Sequence, residues 1–101
     1  MNIDYFKEKI EEELEDSKDY IKRAIEIKAM SPAWAKTLYN MSADELTHAT
    51  NLYKMFSDYI AKLSASYKEL PTYIDDANYD VTERFTECSA KIKSMHEMYD
   101  L

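Results

Sequence analysis

Apolar residues recur along this chain in alternating steps of three and four, the period of a helix that keeps one face against a core. The first run reads Ile3, Phe6, Ile10, Glu13, Ser17, Tyr20, Ala24 and Ile27. It predicts a helix over about 3–29, starting near Asn2 or Asp4. Ser31-Pro32 then breaks the pattern. Serine before a helix accepts from the unpaired N–H groups of its first turn, and proline suits the first helical position because no N–H is needed there. The second run, Trp34, Leu38, Met41, Glu45, His48, Leu52, Met55 and Tyr59, ends with Leu63 and predicts a helix over about 32–67. Leu70-Pro71 turns the chain, since the residue before proline is pushed out of the helical region. A third run, Ile74, Ala77, Val81, Phe85, Cys88, Ile92 and Met95, predicts a helix over about 73–98, with His96 off the stripe and exposed.

Composition narrows the class. A chain of 101 residues makes one small domain with a modest core. It has no glycine and only Pro32 and Pro71, so tight turns that need a positive φ are largely excluded. The expected architecture is all-α: an antiparallel helical hairpin, because the first connection is short, followed by a third C-terminal helix.

Three positions interrupt the apolar runs with ionisable groups: Glu13, Glu45 and His48. An ionisable group on a core-facing stripe costs several kcal/mol unless it is paired or binds a metal. Glu13 lies about 15 residues before the turn, and Glu45 and His48 about 13 and 16 residues after Pro32. At about 1.5 Å per residue all three sit roughly 20 to 24 Å from the turn, at one level of the hairpin. The i, i+3 spacing of Glu45 and His48 lets both reach one ion. Around Glu13 runs Glu11-Glu12-Glu13-Leu14-Glu15-Asp16, whose other acids read as a solvated face near a helix N-terminus.

Charge and cysteine usage exclude other classes. With 13 basic and 20 acidic residues the net charge is −7, which disfavours nucleic acid and suits cations. The single Cys88 forms no internal disulfide. No basic-then-apolar N-terminal pattern and no run near the ~20 apolar residues of a membrane span is present, so a cytoplasmic protein is expected.

Two Glu and one His are too few for a pair of metals. In four-helix carboxylate proteins, two helices each give a Glu and the other two each give Glu-x-x-His. Two copies of this hairpin would supply that set, with four carboxylates balancing two divalent cations.

Glu12-Glu13-Leu14-Glu15 with Tyr20, then Glu45-Leu46-Thr47-His48 after a Pro-marked turn, resembles the ferritin-like superfamily. Over about residues 10–60 the likeness is to the short half-ferritins known as encapsulated ferritins. The resemblance implies a homodimer or larger oligomer closing into a ferritin-like four-helix bundle. It implies ferroxidase activity, with two irons per dimer held by Glu13, Glu45 and His48, and ferrous iron oxidised by dioxygen for storage or detoxification. It further implies Glu12 and Glu15 on the approach path, Tyr20 beside the centre, and a surrounding protein shell. Short members of that family carry a Gly-containing C-terminal tail that addresses them to the shell, whereas this chain ends Met98-Tyr99-Asp100-Leu101.

Two other readings keep the same residues. Manganese or another divalent metal suits a carboxylate-rich site as well as iron does. Alternatively the chain is a metal-free helical assembly module, in which Glu45 and His48 form a polar pair that sets helix register.

Overall fold

Asn2 and Ser31 start the first two helices in the same way, each side-chain oxygen accepting a backbone N–H of the first turn. The donors are Tyr5, at 2.9 Å, and Trp34, at 3.3 Å. The computed structural model describes residues 2–101 and gives α1 (Ile3–Ile27), α2 (Pro32–Ser66) and α3 (Thr72–Asp100). The described residues contain no strand and no positive φ, as a chain without glycine requires. No helix is long and apolar enough to cross a membrane.

The helices lie side by side in a rod of 57 × 20 × 15 Å. Its radius of gyration is 16.2 Å, against about 13 Å for a compact domain of this length. The accessible surface, 6648 Å², likewise exceeds the roughly 5,900 Å² usual for this mass. Three long helices in one slender layer leave flanks uncovered.

The core is set one position away from the apolar run expected on α2. Ala35, Ser42, Ala49, Phe56 and Ile60 are buried there, whereas Trp34 is 73% exposed and Met41 and Met55 are also exposed. On α1, Leu14 and Ile21 take the places expected for Glu13 and Tyr20, which are only half-buried. The reason is the size of the contact residues. With Ser and Ala at the seam the two helix backbones approach closely, and the larger side chains are displaced to the flanks. Ser17 and Ser42, both fully buried, exchange bonds across this seam. Ser17 Oγ donates to the Ser42 carbonyl at 2.8 Å, and Ser42 Oγ donates to the Ser17 carbonyl at 2.7 Å.

The third helix covers one flank only. Its Arg84 grips Glu11 with two parallel bonds of 2.8 Å and also pairs with Glu15. The Arg84 guanidinium holds the Glu11 carboxyl below the usual carboxylate range. On α2 the side facing α3 is marked by Tyr53, stacked on Phe85 at 4.3 Å and bonded to Thr82 at 3.0 Å, and by Tyr39, which lies 4.7 Å from both His96 and Tyr99. Lys28 donates to the Tyr99 carbonyl from the α1–α2 turn. His96 is therefore half-buried rather than exposed, with Nε2 2.9 Å from Ser42 Oγ. Ser89 and Tyr99 are buried too, while Phe85 and Met95 are only partly so.

Phe56 is fully buried between Phe6 and Tyr53. Phe56→Ala is expected to cost about 3–5 kcal/mol in urea unfolding. Ser31→Ala should cost about 1 kcal/mol and Ser31→Gly only a few tenths. No loss for either alanine or glycine at position 31 would show that the cap contributes nothing.

Candidate metal centre

The α3 contacts define which side of the hairpin is open. Tyr39 and Tyr53 on α2, and Glu11 and Glu15 on α1, point towards α3. At 100° per residue, the flank carrying Trp34, Met41, His48 and Met55 lies away from it, and so does the side of α1 that carries Glu13 and Tyr20. On that open side the two helices bring Glu13, Glu45 and His48 together.

One ligand atom from each of the three lies within 4.8 Å of the others. His48 Nδ1 is 3.6 Å from Glu13 Oε2 and 3.8 Å from Glu45 Oε1. These separations are too long for direct hydrogen bonds. Two ligands each about 2.1 Å from a shared ion stand roughly 3.0 to 4.2 Å apart as the angle between them opens from 90° to 180°. Both measured separations fall in that interval.

Electrostatics favour a cation at this point. Glu13 Oε2 is shut off from solvent and has no hydrogen-bond partner, a state that ordinarily costs about 1–3 kcal/mol. The Glu45 carboxyl is pushed above the usual carboxylate range. The main cause is Glu13, to which a protonated Glu45 can donate, followed by burial and by repulsion from the Glu13 charge; nearby His48 opposes the shift. Two carboxylates facing each other lack one positive charge between them, and either a proton or a metal ion supplies it. The His48 side chain is 56% exposed, so the group opens onto the uncovered face.

The other residues expected here stand outside this group. Glu12 is exposed and paired with Lys9 at 3.1 Å. Glu15 is drawn towards α3 by Arg84, and with Glu8, Glu11, Glu12 and Asp16 it lines an open acidic depression. Tyr20 is half-buried on the open side of α1. Tyr59 packs against Phe6 at 5.7 Å, near the N-terminal end of α1 and away from the three ligands. Cys88 is a buried thiol raised by desolvation.

Sequence periodicity alone missed the Ser17–Ser42–His96 contact. A signal for it exists: Ile3, Ile10, Ser17 and Ala24 on α1, and Ala35, Ser42, Ala49 and Phe56 on α2, each recur every seven residues.

No family model, no curated protein and no solved structure matches the chain. The three-residue group therefore rests on its own geometry.

A group whose pKa is raised by folding contributes stability below its unfolded pKa and loses it as pH rises through the folded value. Without metal, Glu45 should therefore weaken the fold at neutral pH. Glu45→Gln is expected to raise the urea midpoint in excess chelator at pH 7, with the gain vanishing near pH 4. A lowered midpoint at pH 7 would contradict the unbalanced charge.

Proposed function

We propose that Glu13, Glu45 and His48 hold a divalent cation. We further propose that two copies of the chain, joined along the uncovered side of α1 and α2, form a di-iron ferroxidase that oxidises ferrous iron with dioxygen for storage or detoxification. The observation that carries this reading is the buried, unpartnered Glu13 Oε2 beside Glu45 and His48. Two ferrous ions held there would each give one electron to dioxygen, becoming ferric, and the dioxygen would leave with two protons from water as hydrogen peroxide. The chain's own residues do the rest. Glu13 and Glu45 provide the negative charge that compensates the cations, and His48 provides a nitrogen donor from the more exposed side of the group. Trp34, Met41 and Met55 form an apolar surround that excludes water once the two faces meet.

The metal-free reading gives Glu45 and His48 the task of setting helix register. That task is already filled by Ser17 and Ser42, whose reciprocal bonds allow a single alignment of α1 on α2. Two carboxylates in contact would add repulsion without adding register.

Anaerobic titration with ferrous iron should saturate near about one ion per chain, as half of a two-metal bundle site requires. Admitting air should then consume the ferrous iron with a transient colour. Glu45→Ala and His48→Ala should each abolish uptake. Sedimentation of the metal-loaded protein should give a dimer or a larger oligomer. A metal-loaded monomer, or unchanged uptake by both variants, would remove the reading.

A further inference from the structure

Glu13 precedes Ser17 by one helical turn on α1, and Glu45 follows Ser42 by three residues on α2. The Ser17–Ser42 contact is thus the layer of the hairpin next to the three ligand residues. Each serine has one hydroxyl proton, and each gives it to the other's carbonyl. With the Ser42 hydroxyl proton assigned to the Ser17 carbonyl, its shortest contact, the imidazole is the donor to Ser42 Oγ at 2.9 Å, which places the proton of the neutral ring on Nε2. Burial pushes the His96 pKa below the ordinary histidine value, while Asp100 acts in the opposite direction. The ring is held in place by Tyr39, whose own ring is tilted against that of Tyr99. A polar group from α3 thus ends inside the seam between α1 and α2.

Metal ligands must be placed to within about 0.2 Å, whereas a slip of α1 along α2 by one residue moves Glu13 by about 1.5 Å. Any such slip takes two hydroxyl protons away from their acceptors across the seam where water does not reach, because both serines are fully buried. The bonds that resist the slip are one turn from the ligands, and His96 occupies the remaining acceptor capacity of Ser42.

We propose that Ser17, Ser42 and His96 are positioning residues for the cation group: they fix the distance of Glu13 from Glu45 and His48, His96 acting through its contact with Ser42 Oγ rather than through the docking of α3 as a whole. This rests on the reading that those three residues hold a cation. Removal of the His96 donor lets the Ser42 side chain reorient and the ligand spacing spread.

Cobalt(II), whose visible absorption reports coordination geometry, is the probe, titrated into the full-length protein at pH 7.5 beside thermal melting. Ser42→Ala and His96→Ala should each weaken cobalt binding about tenfold, the lower end for residues that support metal ligands, and should shift the cobalt band. His96→Gln, whose side-chain amide donates from nearly the same point, should return the affinity to within about twofold and restore the band. Tyr53→Phe removes the bond to Thr82 between α2 and α3, away from the seam; it should lower the melting temperature and leave cobalt binding unchanged. If Ser42→Ala does not fold, the half-buried His96 carries the test through its alanine and glutamine variants. The proposal is overturned if the Ser42 and His96 variants keep the wild-type affinity and band, or if Tyr53→Phe weakens cobalt as much as they do. Wild-type protein that takes up no cobalt would instead remove the cation reading itself, and the positioning role with it.

Discussion

Two hydroxyl protons, exchanged between Ser17 and Ser42, hold α1 and α2 nearer to each other than larger side chains would permit. Close approach has a cost in apolar burial, because serine and alanine contribute little area at the seam. The rest of the fold answers to that constraint. Bulky residues move outwards, so Phe56, Ile10, Leu14 and Ile21 fill the space towards α3, while Trp34, Met41 and Met55 are left on the opposite flank. Glu13, Glu45 and His48 meet on that same flank because the seam brings the two backbones close enough for short ligand-to-ligand distances.

A second consequence is a division of labour between the two sides of α1. Towards α3 its carboxylates are neutralised by Arg84, a guanidinium whose planar donors match Glu11 in two parallel bonds. On the other side no Lys or Arg among the described residues forms an ion pair with Glu13, which lies beside the His48 imidazole and faces another carboxylate. The contrast is chemical rather than one of packing: the same acidic segment is satisfied on one face and short of positive charge on the other. Such an imbalance weakens the fold and marks a place where an added positive charge would be favourable, a compromise often found where structure gives way to function.

The helix ends were legible because their causes are local. Ser31-Pro32 caps and starts α2, and Leu70-Pro71 bars its continuation, whatever the helices pack against. The juxtaposition of Glu13 with Glu45 and His48 was legible as well, since counting residues from one tight turn fixes the level at which antiparallel helices face each other. The rotation of each helix about its axis was not legible. Reading Trp34, Met41 and Met55 as core rested on their hydrophobicity, but burial depends on where the third helix lies, and α3 selected the other flank. His96 shows the same limit from the other side. Four residues beyond Ile92, it sits about 40° off the buried stripe, where it reaches solvent or a neighbouring helix according to how α3 is turned.

The two ends of α3 are unequally secured. Its start has no side-chain cap: Pro71 precedes it, and its first N–H groups find no side-chain acceptor. Its C-terminal half is pinned by His96, by the contact between the Tyr39 and Tyr99 rings and by Lys28. Breathing motions of this helix therefore begin at Thr72, beside the first turn of α1 and about 15 Å from the level of Glu13. Loosening at that tip, read as faster amide exchange or easier proteolysis, is expected to leave the level of Glu13, Glu45 and His48 closed.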